Sequence, residues 1–534
     1  MFEIISWLFV YVVLPAALAY GITLLLPQKT EKPKTGEQKI TLPTATEGRP
    51  FPVLFGCRMI RGLNAISPLL FKYSYYNSTK DTAANIYFAS FHLGVCLCLD
   101  GVKQIWWGGK CAKPYKDPNS YLDDGETTIH LSSTFLWGDW AYGGPGGVNG
   151  YVDVLYGEDD QTLNSYLEDK IGSDQPYYRG FVSLVFRGPA SYGSEGCYIG
   201  TAPIIRPIEI LGKRTDQFND HSTMWYPAKA AIGTYHDMNP LHITYELLTS
   251  EIIGRGINTS LIGDSFEDAA DTLYTEGFGL SCVWDYAPDD IDSMIQTIEQ
   301  IVDGKLYFDY DTEKFEYGLN RDDYNPDNLE TFDESDFWVD SCGYLSPGRM
   351  PSKVMVKWEH RQYEGDRLAY DDDIALLTKQ GGITNIEEYD YSAFVVDGDV
   401  ANTIAARQQY VFSSMPKKFT LRCLRTMSHL HETDVFKISY PALNIGSMIV
   451  RLISIDRGSL ANGEVVIECM EDVFGMAYTV YGTPPEPEIE PAEMQSNISS
   501  DDLTVTDYTS INIEYGVRVD DDITVSEYEE ISII

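Results

Sequence analysis

Apolar positions along the chain follow two periods, and the change from one to the other divides it. From residue 52, PVLFGCRMI reads as a strand in which Phe51, Val53 and Phe55 share one face. The stretch IYFASFHLGVCLCLDGVKQIWW (86–107) continues as long β-rich runs around Asp100-Gly101, a hairpin signal, and GGPGGVNG (143–150) is a loop. Strands are expected over 181–187 and 207–211. At Asn239-Pro240 the period becomes helical, with an N-cap residue followed by the proline that suits a first helical position. Ser265 and Asp268 predict a capping box, and Phe266, Ala269, Ala270, Leu273 and Tyr274 form one helical stripe closed by Gly277. Ile291, Met294, Ile295, Ile298 and Val302 predict a further helix, and GKLYFDYDTEKFEYGL (304–319) a hairpin.

Alternation then returns with Val354, Val356 and Trp358 on one face. A helix over 397–412 interrupts it, strands over 419–424, 448–455 and 465–469 follow, and Asn462-Gly463 is a hairpin turn. At the ends the pattern differs. Residues 4–26 are almost uncharged and long enough to span a bilayer as a helix, yet the chain begins Met-Phe-Glu, without the basic start of a signal peptide. Near the C-terminus DDLTVTDYTSINI (501–513) recurs as DDITVSEYEEISI (521–533) at a spacing of 20 residues, with Leu503, Val505, Ile523 and Val525 on apolar faces.

The expected fold class is a β-rich, multidomain α+β protein: two barrel-like β domains flanking a small α+β module, preceded by a hydrophobic helix. The expected division is a helix over 1–28, a linker over 29–46, a first β domain over 47–235, the module over 236–320 and a second β domain over 321–482. A proline- and acid-rich linker over 483–500 and a β-repeat tip over 501–534 complete it. Composition agrees, since 534 residues with 44% hydrophobic and 13% aromatic content fill several cores. The charge is more selective. Thirty-nine basic against 80 acidic residues give −41, which opposes stable binding to nucleic acid. Nine scattered cysteines without a CxxC read as small core residues from a reducing place of synthesis.

Candidate chemistry is thin. His429 and His431 with Glu432 would lie on opposite faces of a strand and lack a further metal ligand. Asp309, Asp311 and Glu313 alternate like a calcium loop but lack its glycine and closing glutamate, so a hairpin turn explains them. Asp371, Asp372 and Asp373 read as a solvated loop, and the aromatic groups at Trp106-Trp107 and 137–142 as core or as a glycan-binding surface. There is no GxSxG, no phosphate-binding loop and no paired Cys and His. The expectation is a scaffold rather than an enzyme, with no cofactor and no metal.

The stretch PTATEGRPFPVLFGCRMIRGLN resembles the segment that begins the folded part of phage tail-tip hub proteins, where a hydrophobic N-terminus and a lysine- and proline-containing linker lead into such a strand. FHLGVCLCLDGVKQIWWGG, YYRGFVSLVF, MNPLHITYELLTS, SFEDAADTLYTEGFGLS, IVDGKLYFDYDTEKFEYGLNRDDYN and ECMEDVFG follow in the family's order over about residues 42–476. The chain is thus similar to the lambda-like tip attachment and gene-transfer-agent hub group, akin to baseplate hubs. Glu47, Gly48, Pro50, Pro52, Gly56, Asn239, Pro240, Glu471, Asp472, Phe474 and Gly475 fall in the matching motifs.

The resemblance implies a homotrimer in the virion, at the tail tip, made in the host cytoplasm, with the distal tail protein, other tail-tip proteins and the tape-measure protein as partners. DNA would pass only transiently through its channel, and host envelope contact is a further implication. In that setting Trp7, Leu8, Leu14 and Leu24 would belong to a helix buried in the assembly, and the C-terminal repeats to tip strands. A receptor- or glycan-binding tip and a membrane-anchored surface protein are the alternatives. The long C-terminal fibronectin-like extensions of lambda-like members have no counterpart in this sequence.

Overall fold

A strand whose residues are all buried must have structure on both faces, and PVLFGCRMI is one. In the computed structural model, which describes residues 51–474 except 78–82, 115–120, 140–143, 189–195, 203, 216–224, 286, 288–289, 345–349, 383 and 459–462, this stretch is β1 (Pro52–Ile60), buried throughout. Odd positions Val53 and Phe55 join one apolar core; even positions Leu54 and Ile60 join another. Residues before 51 and after 474 lie outside the described part. The N-terminal helix, both linkers and the C-terminal repeats therefore fall outside it, as do Glu47, Gly48, Pro50 and Gly475.

The first β region follows β1 with β2 (Asn64–Asn77), β3 (Ala83–Cys96), β4 (Gly101–Trp107), β5 (Lys110–Lys113), β6 (Thr128–Ser133), β7 (Val148–Leu155), β8 (Val182–Arg187), β9 (Cys197–Tyr198) and β10 (Ile208–Arg214). A short helix, α1 (Ser165–Ile171), is capped by Asn164, whose side chain accepts from the amides of Tyr166 and Leu167. Two sheets result. One runs β2-β3-β8-β7-β6 with β9 bridging β3 and β7; the other includes β1-β10-β4-β5. They enclose a core that contains Phe91, Trp107, Leu131, Val152, Leu184 and Phe186. Asp100-Gly101 does not turn a hairpin: β3 and β4 belong to different sheets, and the Asp100 carboxylate accepts from the amide of Thr215 at the crossing.

Next come β11 (Ala231–Ile232), β12 (Asp237–Met238), α2 (Pro240–Thr249), α3 (Ser265–Glu276), β13 (Cys282–Asp285), α4 (Ile291–Val302), β14 (Gly304–Asp309) and β15 (Lys314–Leu319). Asn239 caps α2 from a fully buried position, accepting from Leu241 and donating to the carbonyls of Lys229 and Ala270. Phe266, Ala269, Ala270 and Leu273 on α3 are buried, and Gly277 ends the helix in the left-handed conformation. Two details differ from the sequence expectation. The expected capping box does not form, because the Ser265 hydroxyl bonds to Glu316 on β15, and Tyr274 is 39% exposed. β14 and β15 form the expected hairpin, whose turn accounts for the alternating acids: Asp309 accepts from the amide of Asp311 and the hydroxyl of Thr312.

The remaining strands are β16 (Thr331–Phe332), β17 (Phe337–Tyr344), β18 (Lys353–Glu359), β19 (Asp366–Asp372), β20 (Ile386–Asp390), β21 (Lys417–Leu424), β22 (Val435–Tyr440), β23 (Ile445–Asp456) and β24 (Glu464–Glu471), with α5 (Ile374–Lys379) and α6 (Gly398–Ser414) among them. A six-stranded sheet runs β16-β22-β23-β24-β21-β17, and a three-stranded one β19-β18-β20. Val354, Val356 and Trp358 face α6 and share one apolar core with the helices α2, α3 and α4. The six-stranded sheet keeps its own core, around Phe337, Phe419, Leu421, Phe436 and Ile467. Each sheet has a linear strand order among the described residues, and the β-rich, multidomain expectation holds. The three aspartates are not a loop: Asp371 and Asp372 end β19, and Asp373 caps α5.

Candidate functional site: two buried polar junctions

The first junction starts at Gly56. Up to Phe55 the strand β1 pairs with β13; from Gly56 onward it pairs with β10. The handover needs a left-handed residue, and Gly56 has φ +75°. A Cβ there would sit 2.6 Å from the Leu280 carbonyl oxygen and closer still to the Ser281 hydroxyl. That hydroxyl accepts from the amide of Cys57 at 2.8 Å and donates to Asp237 at 2.6 Å. Asp237 receives both terminal nitrogens of Arg361, at 2.7 and 3.0 Å, with the two side chains 8% and 4% exposed. Arg361 also donates to the Cys57 carbonyl, and its own carbonyl accepts from Met59. Burial pushes the Cys57 thiol up to about 11, against the lowering influence of Arg361, so it stays a neutral packing group.

Arg58, next along β1, points the other way around the same node. It donates to the carbonyls of Ser281, Ser392 and Ala393 and pairs with Glu359 at the end of β18. Three segments far apart in sequence are thereby tied: the first strand, the turn before β13 and the end of β18. Such a node has strict geometry, because a charge left unpaired in this interior costs several kcal/mol.

The second junction joins the hairpin to the six-stranded sheet. Arg451 on β23 donates to Asp472 at 2.8 Å, to the Thr433 carbonyl at 3.1 Å and to the Arg321 carbonyl at 2.7 Å. Tyr324 donates to the other Asp472 oxygen, and the Arg451 guanidinium lies 5.3 Å from the centre of the Phe474 ring. The Asp472 side chain is fully buried. Arg321 extends the network, holding Glu276 at 2.6 and 3.0 Å. Burial opposes ionisation of Glu276, but Arg321 and Arg407 outweigh it and hold its carboxyl below the usual range. Thr433, beside Gly318, has φ +77°, a strained conformation for a β-branched residue.

Pro52 opens β1, where its carbonyl accepts from Leu97. Gly56 belongs to the first junction, whereas Asn239, two positions after Asp237, bonds Lys229, Ala270 and Leu241 and caps α2, which Pro240 starts. Asp472 and Phe474 belong to the second, and Glu471 accepts from the Lys417 amide nearby. Trp7, Leu8, Leu14, Leu24, Leu503, Val505, Ile523 and Val525 lie outside the described residues. Sequence reasoning missed Arg58, Arg361, Asp237, Ser281 and Arg451. A usable signal existed for Arg58 and Arg451, each a lone cation inside an apolar strand. None existed for Ser281.

His429 and His431 lie on a loop rather than a strand; His431 stacks on Tyr307 and sits 3.3 Å from Asp309, while His429 contacts Glu330. Among the described residues no group of three or more His, Cys, Asp or Glu is placed to hold a metal. Trp106 and Trp107 are buried, which removes them from any glycan surface. No helix among the described residues is long and apolar enough to cross a membrane.

No protein-family model and no curated protein matches the sequence. Among solved structures, a chain from the virion of a native gene transfer agent particle aligns with TM-score 0.50 and 12% identity, over 88% of this chain and 98% of that one. The two chains share a fold. A tail protein from Neisseria meningitidis MC58 aligns at TM-score 0.28 and 11% identity over 70% of this chain and 96% of its own. The 43 kDa tail protein of prophage MuSo2 from Shewanella oneidensis aligns at 0.26 and 10% over 76% and 98%. These structural neighbours are proteins of virions and phage-type tails.

Proposed function

We propose that this chain is a structural protein of a phage-type tail, acting as the hub of the tail tip. The observation that carries the reading is the fold shared with a gene-transfer-agent virion chain along nearly the whole of both chains. The collinear motifs support it, since those within the described residues supply parts of both junctions. In this reading the chain resides in the virion and forms a homotrimer below the distal tail protein. The tape-measure protein and other tip proteins are its neighbours, and DNA crosses only during ejection. The six-stranded sheets, one in each β region, would offer two comparable units per chain and six per trimer to a sixfold tube. The segment 4–26 would be buried in the assembly, and residues 501–533 would form tip strands, with contact to the host envelope left to that end.

Charge distribution fits a DNA path. Residues 264–336 hold 22 acidic and 3 basic residues, a net −19 out of −41. A wall of that sign repels phosphate and lets DNA slide without sticking. Native mass measurement of the purified full-length chain, followed by imaging with purified tail tubes, tests the proposal. A stable trimer seated on the tube end is the expected result; a monomer at all concentrations that ignores tubes would refute it.

A further inference from the structure

Two clefts flank the line along which the six-stranded sheet meets the helices and the β14–β15 hairpin. One, of about 350 Å³, reaches toward α6 and includes Val411, Phe412 and Met470 in its walls. The other, of about 330 Å³, reaches toward α3 and includes Thr272, Asp323 and Val435. Thr433 and Arg451 line both, so the contact between the clefts is narrow. Beside it, the loop over 429–434 grips the hairpin. The His431 ring stacks on Tyr307 at 5.1 Å and brings its Nε2 within 3.3 Å of Asp309. Thr433 packs on Gly318, where an added Cβ would collide with the Thr433 hydroxyl and lie 2.9 Å from its Cβ. The φ of +77° at Thr433 is unfavourable for a β-branched residue and persists only while the surrounding contacts impose it.

We infer that this loop is a latch that holds the six-stranded sheet in one of two positions, seated on the hairpin or swung about Arg451 when the loop lets go. Release relaxes Thr433, and the clefts give the sheet room to move on either side of the contact. The apolar core of the sheet is separate from the one that holds the helices, so a swing exposes little apolar surface. Arg451 serves as the pivot because it donates to the carbonyl of Arg321, whose side chain is fixed to Glu276 on α3, and a bond to a carbonyl tolerates rotation. Nearby, α6 passes into β21 through Met415, at φ +47°, and Pro416, an element end of the kind that absorbs hinge motion. The inference does not rest on the tail assignment.

The distance between two spin labels on the full-length chain tests it. One label sits on Cys342, exposed on β17, and the other on Glu267→Cys, exposed on α3, with Cys98→Ser and Cys111→Ser so that the other cysteines are buried. With the latch intact one distance should dominate, the swung position holding less than about 10% of molecules. Gly318→Ala, on ordinary strand backbone, should make the swung position the majority by pushing Thr433 off, and His431→Ala should raise it several-fold. Adding Thr433→Gly to Gly318→Ala removes the collision, suits the left-handed φ and should restore the single distance. One unchanged distance in both Gly318→Ala and His431→Ala overturns the inference, as do two comparable distances with the latch intact or a second distance that survives the added Thr433→Gly. Should Gly318→Ala fail to fold, His431→Ala decides alone.

Discussion

Gly56 shows how one residue fixes a fold. Its positive φ carries β1 from one partner strand to another, and its missing side chain admits Ser281. Gly56→Ala should therefore destabilise by more than about 2 kcal/mol, combining the left-handed penalty with a backbone clash; urea unfolding measures it, and a loss below about 0.5 kcal/mol would contradict the account. Two buried histidines set a pH dependence. Burial pushes His92 down to about 3 and His242 to about 4, the latter against carbonyl bonds that raise it. The unfolded chain, with ordinary values near 6.5, binds more protons than the folded one across that interval. Stability is thus full above about pH 6.5 and falls toward pH 4, by up to about 1.4 kcal/mol per pH unit for each ring. Thermal midpoints between pH 7 and 4.5 should show the decline, and His242→Gln should flatten it.

Elements hold here by their ends as much as by their faces. The α2 cap also bonds two carbonyls outside its helix, so Asn239→Ala removes three hydrogen bonds in a buried place. The expected cost is about 2–4 kcal/mol. Asn258 caps an exposed single turn in the same way through one bond, and Asn258→Ala should cost about 1 kcal/mol or less. Comparing the two by chemical denaturation separates a cap from a junction. A similar loss in both would place the importance of Asn239 in the helix alone.

At the scale of the molecule, the cores differ in how they are joined. β1 contributes to both neighbouring apolar cores, which couples the first β region to the helices and the three-stranded sheet. The six-stranded sheet has a separate core and meets the rest through Arg451, Asp472, Tyr324 and the Thr433–Gly318 contact. Arg451→Met leaves Asp472 buried without its cation, at a cost of about 3–5 kcal/mol at that joint. Calorimetry should then resolve a separate, earlier transition for the sheet, while a single shifted transition would mean the joint is not where cooperativity resides.

Features that depend on near neighbours were legible in the chain's own pattern. Helical stripes at Phe266 to Leu273 and Ile291 to Val302, the caps at Asn239 and Gly277, and the hairpin over 304–319 all follow from spacing and local hydrogen bonding. β1 was legible as a strand for the same reason. Long-range partners became visible only in the folded chain. Asp100-Gly101 has a hairpin's residues yet crosses between sheets, and Ser265 gives up a local cap for Glu316, 51 residues away. Ser281, an ordinary turn residue, becomes a donor and acceptor at the centre of a junction because Gly56, Asp237 and Arg361 converge on it. Local patterns record the burial and backbone freedom of each residue. The pairing of charges across 124 or 301 positions depends on how the sheets stack, which no short stretch encodes.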